Sequence, residues 1–306
     1  MSRESLQSSV LEVLCYFEVF RHPLTAEEIM GFIRAPDLSF HELQVILQQM
    51  VESGRIWQYE SCFQSAPDVN WLAQRREKNE RAALFLPKAY QMGKFIGQFP
   101  FVEAVMVSGS LSKNTMAPDG DIDFFLITRP NRLWLARTLL VLYKKIFLLN
   151  SHKYFCINYL IDSKHLEIEE KNRFTATECA TLLPVYNPGL YHDFMNANEW
   201  VSQQFYPNTQ RRCTKNVHPE LRPWSKRLLE SVLGGFRGNW ADQLCMQVTV
   251  KFWRRKFRHF TKNNFDVALK SRQYVSKHHP MGFQERVLNQ YQTKITEALF
   301  GRVVEK

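Results

Sequence analysis

The sequence predicts an α+β chain of several domains: a small N-terminal unit of three helices and a strand pair, a central α/β core with a mixed sheet, and a helical C-terminal region. Three observations carry this prediction. Helix-capping signatures recur twice before residue 54; apolar strand-like runs surround one apolar helix between residues 101 and 190; and helical periodicity prevails beyond residue 190. A chain of 306 residues with 45% hydrophobic content has room for two or three such units.

Residues 1–66 form the first unit. "SLQSSVLEVLCYFEVF" carries apolar residues at helical spacing, and "PLTAEEIMGFI" opens a second helix with Thr25 and Glu28 in capping-box register. "LSFHELQVILQQMVESG" repeats the device with Ser39 and Glu42, and Gly54 stops the helix. "RIWQYESCFQ" alternates as a strand pair does, which completes the order of a winged helix-turn-helix with residues 39 to 53 as its third helix. That helix contains no Lys or Arg, whereas groove-entering helices bring cations to phosphates, so a protein-contacting or structural role stands beside DNA binding.

Residues 67–100 read as a connecting helix, charged first and apolar later, with a kink or break expected at Pro87. The core, 101–190, then runs strand ("FVEAVMVSGS"), loop, strand ("DIDFFLIT"), helix 131–149, strand ("YFCINYLI"). The helix 131–149 is expected to be buried, with a surface-lying amphipathic helix as the alternative; Arg137, Lys144 and Lys145 make it too charged to span a bilayer. Residues 191–306 are expected to be helical, with "ATECATLLPVY" helical just before them and helices resuming at about 224–233, 240–260 and 284–300.

The stretch that points to chemistry is "VSGSLSKNTMAPDGDIDFFLIT". Side chains alternate along a strand, so Asp121 and Asp123 share a face while Ile122 points away, and two such carboxylates suit a hard divalent ion. A strand ending in Gly109 lets a phosphate approach the backbone, and Ser110 offers a hydroxyl and an amide hydrogen. The plainer reading is a polar loop between two strands with solvated or capping aspartates.

This stretch resembles the active-site signature of the DNA polymerase beta-like nucleotidyltransferase superfamily: a hydrophobic strand, Gly-Ser, ten residues, then Asp-x-Asp on the next strand. With the preceding helices it is similar to bacterial nucleotidyltransferase-domain proteins that carry an N-terminal winged helix. The resemblance implies metal-binding catalytic roles for Asp121 and Asp123, nucleotide-binding roles for Gly109, Ser110 and Lys113, and a left-handed turn at Asn114. It further implies Mg²⁺ (or Mn²⁺) and transfer of a nucleoside monophosphate from an NTP to a hydroxyl of RNA, a protein or a small molecule. The chain departs from the family where many members place a third carboxylate on the following strand: the inward candidates are Asn158 or, one pair further along, Leu160, with Asp162 at or past the strand's end. The alternative is therefore a nucleotide-binding winged-helix regulator or interaction protein with weak or no catalysis.

Forty Lys and Arg against thirty Asp and Glu leave a net charge of +10, favouring anionic partners. Between Lys251 and Lys277 nine basic residues face one acid, Asp266, and "KFWRRKFRHFTKNN" interleaves cations with aromatics as nucleic-acid surfaces do. The competing expectation is an amphipathic helix with Phe252, Trp253, Phe257 and Phe260 in the core. The cysteines include no C-x-x-C pair, and no secretory leader or membrane span is expected, which suits a cytoplasmic protein. His278 and His279 are expected in a surface loop, and no Walker A, G-x-G-x-x-G or G-x-S-x-G motif occurs.

Overall fold

The computed structural model describes residues 2–149, 151, 153–261, 265–266, 268–278 and 282–300. Lys262, His279 and Pro280 lie outside them.

Both capping boxes form. α1 (Arg3–Glu18) is followed by strand β1 (Leu24–Thr25), by α2 (Ala26–Phe32), where Thr25 and Glu28 cap each other's backbone, and by α3 (Phe40–Glu52), where Ser39 and Glu42 do the same. Gly54, at φ +69°, turns the chain into β2 (Trp57–Tyr59), which pairs with β3 (Cys62–Gln64); β1 joins the other edge of β3. Leu14, Ile29, Leu47 and Met50 close the core of this unit.

α4 (Asn70–Gly97) continues through Pro87 without the expected break. The carbonyl that the proline leaves without an intrahelical partner is that of Ala83, and Ala83 and Pro87 are both exposed, so water reaches it. Gly97 then passes so close to Tyr186 that a Cβ there would lie 2.6 Å from the ring.

The central sheet is mixed and six-stranded. β4 (Val102–Val107) pairs antiparallel with β5 (Asp123–Thr128); α5 (Leu133–Phe147) crosses over to β6 (Cys156–Asp162), which lies parallel to β5. α6 (Arg173–Thr181) leads into β7 (Leu183–Tyr186) on the outer side of β4. The expected helix through "LLPVY" therefore ends at Thr181, and Pro184 sits where a strand tolerates it, at a sheet edge.

α7 (Pro188–Ala197), α8 (Trp200–Gln204), α9 (Trp224–Val232) and α10 (Gly235–Lys256) follow. The stretch expected to be helical also supplies β8 (Ser271–Arg272) and β9 (Val275–Lys277), which extend the sheet beyond β6 in the order β7-β4-β5-β6-β9-β8. Strand alternation sorts the core into two layers. Val105, Phe124 and Leu126 face α4, α5 and α10, while Met106, Phe125 and Ile127 face α6 and α7. Finally α11 (Phe283–Phe300) packs back on α1 through Val287, Ile295 and the Tyr16–Tyr291 ring pair.

Candidate functional site

β4 delivers its C-terminal end to Ser108, whose amide donates to the Asp123 carbonyl at 2.9 Å, and Gly109 then turns the chain at φ +65°. A Cβ at Gly109 would lie 2.4 Å from Asp123 Oδ2, so only glycine lets the turn pass this carboxylate. A short 3₁₀ turn, Leu111–Lys113, follows, and Asn114 takes the left-handed conformation (φ 55°, ψ 35°) expected of it. Ser110 is exposed at the start of this turn and does not line the cavity described below.

Asp123 opens β5, whereas Asp121 lies just before the strand instead of on it. The alternation still holds, because Ile122 between them is fully buried in the layer under α4 and α5. On β6 the register slips: Phe124 pairs with Ile157 but Phe125 with Tyr159, so Asn158 is the extra residue of a bulge. That bulge aims its side chain inward, and Asn158 Nδ2 donates to Asp123 Oδ1 at 2.5 Å. Cys156 donates to Asn158 Oδ1 at 3.3 Å. Asp162, at the far end of β6, is buried and engages His165.

Sequence reasoning does not single out Glu178. Its Oε1 accepts from Lys113 Nζ at 2.8 Å and its Oε2 from the Gly109 amide at 3.3 Å, while Lys113 Nζ also donates to the Gly109 carbonyl at 2.9 Å. A carboxylate thus occupies the focus of a backbone N–H and an ammonium. The signal that could have exposed it is positional: Thr175, Glu178 and Cys179 on α6 and Leu182 at its C-cap follow i, i+3, i+4, i+7 spacing, so Glu178 is an acid on an inward helix face.

These groups line a cavity of about 400 Å³ between the sheet, α6 and the start of α11. Gly109, Asp123, Asn158 and Glu178 form its polar side; Phe125 and Tyr159, stacked at 5.2 Å, form part of its apolar side. Lys277 and Arg286 bring cations from β9 and α11, and Lys277 Nζ donates to Gln284 Oε1 at 2.8 Å. His278, expected on a surface loop, instead lines the cavity, its amide bonded to the Asn158 carbonyl at 2.9 Å.

Burial pushes Asp123 up to about 6, and the charges of Glu178 and Asp121 push in the same direction while Lys113 opposes them. Burial, then the charge of Asp123, raises the Cys156 thiol to about 12, so this cysteine is a neutral neighbour and no nucleophile. Burial lowers the Lys277 ammonium below the usual lysine range. Among the described residues, no three His, Cys, Asp or Glu side chains form a group placed to hold a metal ion.

The basic segment 251–277 does not act as one surface. Lys270 bonds Glu169 and Glu170 at 2.7 and 2.8 Å, Lys277 is buried in the cavity wall, and Trp253 is buried against Trp134 and Arg137. Phe252, expected in the core, is instead 59% exposed. No helix among the described residues is long and apolar enough to cross a membrane. Comparisons with protein-family models, curated proteins and solved structures find no match for this chain.

Proposed function

We propose that the cavity binds a nucleoside triphosphate with Mg²⁺ and that the chain is a nucleotidyltransferase, moving a nucleoside monophosphate to a hydroxyl acceptor. One observation carries this reading: the Gly109 amide and Lys113 converge on a single anion, the Glu178 carboxylate, one strand away from Asp123. A phosphate oxygen presents the same charge to the same donors, so Glu178 holds the anion position until a triphosphate displaces it.

The donor set fits magnesium in a specific way. Mg²⁺ is commonly held by one or two carboxylates, with water and substrate phosphates completing its octahedron. Asp123, in the cavity wall, and the neighbouring Asp121, which does not line the cavity, would be that pair; with no group of three metal-ligating side chains among the described residues, the triphosphate would complete the shell. When bound, the ion would polarise the phosphoryl oxygens and neutralise the leaving pyrophosphate. The protein's own groups do the rest: Gly109 and Lys113 orient the phosphates, Lys277 and Arg286 add positive charge at the cavity, and Phe125 and Tyr159 offer an apolar wall.

A second reading rests on Asn158. Where many relatives of this motif place an acid, an amide donates to Asp123, and an amide does not take a proton from an acceptor hydroxyl. With the three helices and the β1-β3-β2 sheet read as a winged helix, this favours a nucleotide-sensing regulator. The third helix, with no cation, would then contact protein and not DNA.

Two experiments address both readings. Asp121→Asn with Asp123→Asn is expected to abolish Mg²⁺-dependent NTP binding by titration calorimetry; unchanged binding would remove the site. Incorporation of label from α-³²P NTPs with a mixed acceptor pool favours the transferase. Binding without incorporation favours the sensor.

A further inference from the structure

α9 and α10 are built inside out. On the inner side of α9, Lys226 Nζ donates to the Gly97 and Val102 carbonyls at 2.9 and 2.6 Å, and one turn later Glu230 accepts from the Phe101 amide at 2.8 Å. On the inner side of α10, Asp242 is fully buried and accepts from the Leu135 amide and from Gln273, both at 2.8 Å. Charges thus share the inner side of these helices, on α10 together with Trp253, Met246 and Val250, while many of the large apolar residues point out.

On α9 the outward residues are Trp224 (72% exposed), Leu228 and Val232. On α10, Phe236 (85%), Trp240, Leu244, Val248 and Phe252 are all exposed and recur every fourth residue. At 100° per residue these five sweep an arc of about 160° and a length of roughly 24 Å, on the side away from Asp242 and Trp253. α5, which packs against α10, is buried over Leu133–Arg137 but, contrary to the burial expected of the whole helix, exposes Leu142, Ile146 and Phe147 beside Lys145 in its second half. A row of large exposed apolar side chains of this length marks an interaction face.

Its charge selects the occupant. Between residues 222 and 258 every exposed charged side chain is basic, because the two acids, Glu230 and Asp242, are buried. Arg237, Lys251 and Arg255 fall within the apolar arc itself, where long stems let the cations reach out beside the apolar groups. A second copy of this chain would bring cations against cations. An anionic partner is required, and a convex helix surface with a broad arc of Trp, Phe and Leu suits a fluid interface better than a narrow seam for one partner helix. We propose that the outer face of α9 and α10 docks this protein on an anionic lipid bilayer surface, as a peripheral contact without a span. This rests on the α9–α10 face alone and is independent of the nucleotide reading.

The test uses the full chain with vesicles of phosphatidylcholine, alone or with one quarter phosphatidylglycerol, in a sedimentation assay. Binding to the anionic vesicles is expected, with a blue shift of tryptophan emission and binding at least about tenfold weaker without the anionic lipid or in high salt. Trp240→Glu with Val248→Glu is expected to abolish binding, and Arg254→Glu with Arg255→Glu to weaken it at least about tenfold, with unchanged thermal melts. Absence of binding to either vesicle overturns the proposal, and so does equal binding by the variants. A dimer dissolved by Trp240→Glu, or capture of an acidic protein by a face that ignores vesicles, overturns it in favour of a protein partner.

Discussion

The cavity beside Gly109 and the outer face of α9–α10 depart from ordinary protein design in opposite senses. In the cavity, charged groups are drawn out of water and set close together: Asp123, Glu178, Lys113 and Lys277 all lie within or against its wall. On α9 and α10, apolar groups are left in water while Lys226, Glu230 and Asp242 are drawn in. Both arrangements cost stability in the isolated chain, through desolvated charge in the first and unburied apolar surface in the second. The difference lies in what relieves the cost. In the cavity a cation at Asp123 and an anion at Lys113 would do so; on the helices an apolar surface with negative charge would.

The largest effect expected from this comparison concerns the inner face of α9. Glu230→Ala strands the buried Phe101 amide and removes the nearer of two carboxylate partners of Arg129, bonded at 3.1 Å beside Glu103 at 3.6 Å, so a loss of about 3 kcal/mol is expected in urea unfolding. A loss below about 1 kcal/mol would mean that the inverted helix is not held by its inward charges, and the comparison would break there.

The cavity offers the next effect, and its sign is fixed by the direction of the Asp123 shift. The carboxyl is raised from 3.8 to about 6 in the folded chain, so the folded state holds the proton more tightly than the unfolded state. The corresponding stability is fully present below pH 3.8 and is lost as pH rises through about 6, amounting to about 3 kcal/mol. Asp123→Asn keeps an acceptor for Asn158 Nδ2 and removes the titration. In chemical unfolding without metal, it should be more stable than the parent chain above pH 6 and equal to it near pH 4. If the two curves run parallel across that range, Asp123 is not strained by burial. Mg²⁺ added above pH 6 should stabilise the parent and not the variant, because a bound cation favours the ionised form.

How legible each region was in the sequence follows from the range of the interactions that build it. The capping boxes at Thr25 and Ser39, the left-handed Asn114 and the Gly109 turn beside Asp123 are set within a few residues of chain, and local pattern reached all of them. Asn158 was also reachable, since it follows Asp123 by one strand and one helix. Glu178 was not. Its partners Gly109 and Lys113 lie 69 and 65 positions away, and only the return of α6 across the sheet brings them together. β9 was hidden similarly, because a three-residue strand carries too little periodicity to stand out in a basic stretch. α10 misled for another reason: its apolar residues keep helical spacing whichever way they face. That spacing is compatible with Phe252 in the core, yet the buried Asp242 and Trp253 set the inward line of the helix and leave Phe252 about 80° to 100° round from it, at the edge of the outer arc.

The smallest expected effect gives the sharpest test of that orientation. Leu228→Ser, Trp240→Ser and Val248→Ser replace side chains that are 54%, 63% and 60% exposed, so none empties a packed site. In a monomer without lipid, each is expected to change unfolding free energy by no more than about 0.5 kcal/mol, the range of ordinary surface substitutions. A buried leucine or valine truncated to serine would instead cost several times as much, through lost transfer energy and an unpaired hydroxyl. The urea series therefore reports which way the helix faces, independently of any ligand. If Trp240→Ser and Val248→Ser each cost more than about 2 kcal/mol, the arc is covered in solution by part of this chain or by another copy. If they cost nothing while Glu230→Ala remains severe, the fold has placed its apolar residues outward against their own preference for burial, and the reason must be sought in what the face meets.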